Sequence, residues 1–189
     1  MNDVIDQIDR ALTMTGAIVE RITGDRLTAP TFCPGWDVST ELNHLVGGMR
    51  IFAAELTGTD AGADHEADWL GTDPQAAFAL AAGLDRAAWH QPDALQKTVR
   101  LGFGAVPGSM AALIHLTEVL VHGVDLAVAT GQDKLVDDAA CAHLLAVMHG
   151  MDFSSFRRPG MFGPELPISA DAPAHQRLLA FLGRDLPSR

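Results

Sequence analysis

Apolar residues recur at helical spacing through most of this chain. Val4, Ile5, Ile8, Leu12, Ile18, Val19 and Ile22 predict a first helix, with Gly24 as its C-terminal cap. After the turn-rich stretch TAPTFCPGW, Asp37 is suited to cap a second helix. There Val38, Leu42, Leu45, Val46, Met49, Phe52 and Leu56 keep one face apolar up to Gly58, and the helix carries His44. Residues 57–72 are rich in Gly, Asp and Ala without a clear period and read as a mobile surface loop. Asp73 and Pro74 open a third helix that runs to about His90, proline being suited to the first helical position.

The period changes in KTVRLGF, where Val99, Leu101 and Phe103 alternate to one side; this reads as a short extended connector and not as a sheet. Pro107 and Ser109 start a long apolar fourth helix that ends near Thr130 and Gly131. Asp137 caps a fifth, through LLAVMHG to Gly150. Pro159, Gly160, Gly163, Pro164 and Pro167 break the chain between Asp152 and Pro173, and a short last helix from about Arg177 to Leu182 stops at Gly183. The expected fold is therefore all-α: an antiparallel four-helix bundle with extra short helices and a short extended connector, forming one domain over residues 1–189.

Bulk properties narrow the function classes. A formal charge of -11, with only 13 Lys and Arg scattered along the chain, argues against nucleic acid as a partner. No apolar run reads as reaching the roughly 18 residues of a membrane span. The acidic N-terminus MNDVIDQIDR is unlike a signal peptide, so a cytoplasmic location and no membrane partner are expected. Cys33 and Cys141 lack a CxxC spacing and read as reduced thiols. The oligomeric state stays open, a homodimer included.

Candidate chemistry concentrates in the fourth helix. Between Arg100 and Lys134 there is no Lys or Arg, so His115, Glu118, His122 and Asp125 interrupt an apolar segment without a local cation. At i, i+3, i+7, i+10 they share one face, and an inward carboxylate there needs a pair, a proton or a metal ion. Glu118 and His122 lie over one turn and could bring an oxygen and an imidazole nitrogen to one ion, although the same spacing occurs in ordinary helix pairs. His44 is the natural third ligand. Two His and one carboxylate would leave positions open for water or substrate. His115 or Asp125 could orient a ligand imidazole through its second nitrogen, or simply be structural. Cys33, with no evident cation or base nearby, reads as a protonated thiol, Trp36 as packing, and His65, His90, His143, His149 and His175 as residues without a site role.

TFCPGWDVSTELNHLVGG, then EVLVHGVDLAVATGQ, and finally RLLAFLGRDLP resemble the DinB-like metal-binding family that includes the N-terminal domain of mycothiol-dependent maleylpyruvate isomerase. The likeness runs from the first helix to the C-terminus. It implies a four-helix bundle and a divalent metal held by His44, Glu118 and His122; the N/O donor set with open positions makes zinc the preferred ion, with nickel, iron or manganese also fitting. It further implies a low-molecular-weight thiol such as mycothiol as cofactor and a small-molecule electrophile as substrate, in a transferase or isomerase reaction. A non-catalytic metal- or ligand-binding protein and a metal-assisted hydrolase are the alternatives. Val124 stands where relatives commonly have Trp, which would alter the pocket wall. The short stretch after GRDLP leaves no room for the extra domain of the isomerase, so that particular isomerisation is not expected.

Overall fold

The structure is a computed structural model and describes residues 3–62, 64–158 and 161–186. Six helices carry the fold: α1 (Asp3–Val19), α2 (Val38–Thr57), α3 (Pro74–Trp89), α4 (Gly108–Thr130), α5 (Asp138–His149) and α6 (Ala174–Phe181). Helices α1 to α4 form the expected helical bundle, α1 packing on α3 and α4 while α2 packs on the same two neighbours. Helices α5 and α6 pair with each other and lean on α4. Between the four main helices, Ile8, Leu12, Leu42, Met49, Trp89, Leu120 and other side chains are fully buried, each contributing about 1.5–3 kcal/mol by leaving water.

Local chemistry sets most boundaries. Asp37 caps α2 by accepting the Thr40 amide at 2.8 Å and the Thr40 hydroxyl at 2.7 Å, and Gly58, at φ 70°, closes it in the left-handed conformation. Asp73 and Asp137 cap α3 and α5 in the same way. Asp37→Ala is expected to lower stability by about 1 kcal/mol, seen as a lower urea midpoint at unchanged slope.

Four expectations are corrected. The first helix stops at Val19, because Arg21 and Ile22 donate to Ile18 and Val19 in tighter turns. Gly24 instead opens a 3-10 turn, Gly24–Arg26. The extended connector is a real two-stranded antiparallel hairpin, β1 (Thr98–Leu101) with β2 (Gly104–Pro107), in register Thr98 to Pro107 and Leu101 to Gly104. Phe103 sits at its tip, 62% exposed, so it parts from the buried Val99 with which the alternation grouped it. The loop before α3 is fastened to α2: Asn43 donates to Ala67 O at 2.9 Å and accepts the Trp69 amide at 2.8 Å. The Trp69 indole lies so close over Gly47 that an added Cβ would come within 2.6 Å of it. Finally, α4 does match a membrane span by length and composition, but 72% of its most apolar window is buried inside the protein, which makes it the core helix of the bundle.

Candidate metal centre

Helices α2 and α4 bring the three expected ligands together. His44 projects from α2, and Glu118 and His122 from successive turns of α4. The Nε2 atoms of His44 and His122 lie 3.1 and 3.2 Å from the same oxygen, Glu118 Oε2. One ligand atom from each residue falls within 4.8 Å of the other two, a spacing that could hold a metal ion. The donor set, two imidazole nitrogens and one carboxylate, fits a divalent cation with open positions. Burial pushes the Glu118 carboxyl up, but hydrogen bonds from His122 and His44 outweigh it and hold the group below the usual carboxylate range.

The second nitrogen of His122 points the other way, into the bundle. Its Nδ1 lies 2.6 Å from Oε1 of Glu41, a carboxylate buried on α2 one turn before His44. Nδ1–H donates to Glu41, so Nε2 is the nitrogen that faces Glu118 and His44; it donates to Glu118 here, and its lone pair is the one a bound cation would take in place of that proton. Burial raises Glu41, and the hydrogen bond and charge of His122 more than reverse this. Glu41 thus takes the orienting role expected of His115 or Asp125. Asp125 Oδ2 is 3.9 Å from His122 Nδ1, outside hydrogen-bond range. His115 lies two turns, about 10.5 Å, along the helix from His122. There it makes a buried 2.7 Å pair with Asp85, beside the rings of Phe52 and Trp89, and plays a structural part.

Below His122 lies a second group of buried donors, Cys33, Glu41, His122 and Asp125, which could also hold an ion by spacing. It already contains a cation. Arg184, from the end of the chain, donates to Asp125 Oδ2 at 3.3 Å and to Cys33 Sγ at 3.2 Å. A guanidinium in that place makes the group a buried ion-pair network, and it supplies the cation that the α4 segment lacks locally. Burial and the nearby Glu41 carboxylate push Asp125 up to about 7, against the pull of Arg184 and His122. Burial likewise raises Cys33, in spite of His122. The thiol is protonated as expected, although a cation, Arg184, and a base, His122, both stand beside it.

The turn before α2 builds the roof. Trp36 N donates to Cys33 O and Thr31 N to Trp36 O, around Gly35, whose φ of 83° is left-handed. This places the Trp36 ring centroid 4.8 Å from His44 and 5.9 Å from His122, so Trp36 covers the site rather than only packing. His65, given no role from sequence, stands edge-on to His44 at 4.5 Å. A cavity of about 1250 Å³ opens over the cluster. Val124 is fully buried and is not among the residues that line it.

A sequence model described as the mycothiol maleylpyruvate isomerase N-terminal domain matches residues 8–127, a span that contains every candidate ligand and Glu41 but not Arg184. Two uncharacterised proteins of Mycobacterium tuberculosis, from two strains, are each 32% identical to this chain over 176 residues, covering 93% of it and 94% of their own length. No solved structure matches.

Proposed function

The chain belongs to the mycothiol maleylpyruvate isomerase N-terminal domain family, and on that premise we propose that His44, Glu118 and His122 hold a divalent cation, zinc first, in a thiol-dependent transferase or isomerase acting on a small electrophile. The observation that carries this reading is the convergence of two imidazole nitrogens on Glu118 Oε2 from two different helices at the base of a large cavity. A bound cation would supply Lewis acidity and favour thiolate over thiol. Nickel, iron and manganese suit the same donors.

The chain's own residues prepare the rest. Glu41 keeps the Nδ1 proton of His122 and so fixes which nitrogen faces the cavity. Trp36 covers both imidazoles and limits access of water from that side. Cys33 is held by Arg184 with its thiol pushed up by burial, so the attacking sulfur comes from a separate low-molecular-weight thiol of the mycothiol type.

The test combines metal analysis of the purified protein with a screen of mycothiol, bacillithiol and glutathione against a reactive aryl halide. About one metal per chain, and conjugation with one of the thiols that chelation abolishes and metal restores, is the expected result. Protein that takes up no metal from a supplemented solution would sink the site assignment. Metal without thiol conjugation would replace the transferase reading, by a hydrolase if esters are cleaved without any thiol and by a binding protein if nothing turns over.

A further inference from the structure

The cavity above the candidate ligands has a wall of unusual chemistry. Four of the protein's seven methionines, Met110, Met148, Met151 and Met161, line it, and so do four of its eight phenylalanines. They come from the start of α4, the end of α5, the hairpin tip and the segment that follows α5. Thioether side chains are unbranched and polarizable, so a surface built from them adapts to an apolar ligand without fixed complementarity.

The charges of the wall point the same way. Among the described residues outside the ligand cluster, three arginines reach the cavity. Arg157 is committed: Nη1 donates to the carbonyls of Gly163 and Phe181, and its guanidinium lies 4.7 Å from the Phe181 ring centroid. Arg184 is committed to Asp125 and Cys33. Arg158 is exposed, its Nε 2.8 Å from Met161 Sδ. Among the described residues of the wall only the exposed Arg158 is free to meet an anion, so apart from a cation at the ligand cluster the cavity has little to offset the loss of water by a small dianionic acid. The volume, about 1250 Å³, exceeds the roughly 300–1,000 Å³ of ordinary small-ligand sites and leaves room for a bulky body beside a thiol.

We infer that the ligand of this cavity is a bulky, uncharged apolar molecule, with an extended alkyl or fused aryl body, that lies along the methionine and phenylalanine wall with its polar end toward His44, Glu118 and His122. Only the placement of the polar end rests on the metal-site reading; the apolar wall stands without it.

Displacement of the fluorescent probe N-phenylnaphthylamine tests this on the intact protein, before and after chelation, with metal content measured in the same samples. Unbranched primary alcohols from butanol to dodecanol should displace the probe about fourfold more tightly for each added methylene until the wall is filled. Maleate and fumarate should leave the probe bound. Met110→Glu and Phe103→Ser alter side chains 39% and 62% exposed, so the fold, checked by circular dichroism, should persist. Each should weaken dodecanol binding about tenfold. A probe that does not bind, displacement without chain-length dependence, stronger displacement by the dicarboxylates, or folded variants that bind as before would each overturn the inference. Chain-length dependence in protein that never takes up metal would instead remove the metal reading and leave this one standing.

Discussion

His44→Ala protein should purify folded but with metal content at background. His44 reaches the cluster from α2, with 28% of its side chain exposed, and its contacts are with Glu118 and the rings of Trp36, His65 and His122. Little of the core depends on it, so the melting temperature of metal-free protein should change little. Glu41→Gln supplies the graded comparison. The amide can no longer act as the charged acceptor for His122 Nδ1–H, and loss of such an outer partner weakens metal affinity by about 10–100-fold without removing a ligand. Competition with a fluorescent chelator measures both. Equal metal affinity in wild-type and Glu41→Gln protein would show that Glu41 does not support the site.

Arg184→Ala should destabilise the protein, by up to about 3–5 kcal/mol at a pH where Asp125 is ionised in the wild type, because it leaves that buried carboxyl without its partner. The loss should grow with pH. Asp125 already sits at about 7 in the folded protein, above its unfolded value near 4, so the folded state holds a proton that the unfolded state releases, and stability falls as pH rises between the two. Removing Arg184 raises the folded value further and widens that window. Urea unfolding at pH near 5 and near 8 checks the sign: a loss that is equal at both, or larger in acid, contradicts it. Arg184→Met combined with Asp125→Asn should recover much of the loss, since the pair is then replaced rather than broken.

What was legible in the chain was what local periodicity can carry. Glu118 and His122 stand one turn apart in a segment without cations, so spacing joins them, while His44 is legible from its place mid-helix among core residues and from the family resemblance. Glu41 was overlooked, although a carboxylate beside Leu42, Leu45 and Val38 on a buried helix face is itself a signal that something must satisfy it. Arg184 had no such trace: it is 59 residues from Asp125 and meets it only through the packing of α6 and the turn after it onto α4. The hairpin is illegible for another reason. Its second strand is GAVP, whose glycine and proline disfavour a strand, and pairing with Thr98–Leu101 decides the outcome.

Part of the cavity wall comes from a stretch of chain that supplies none of the floor, although Phe103 and Met110 lie outside that stretch. All three candidate ligand positions lie on two bundle helices within residues 8–127, whereas the methionines and phenylalanines from Met148 onward belong to α5 and the segment beyond it. The candidate ligands and the later half of the lining are thus carried by separable pieces of sequence. Exchanging residues after Met148 for those of a relative would regraft the lining while the anchored floor stays in place, except at Arg184, where the tail is soldered to the bundle from beneath.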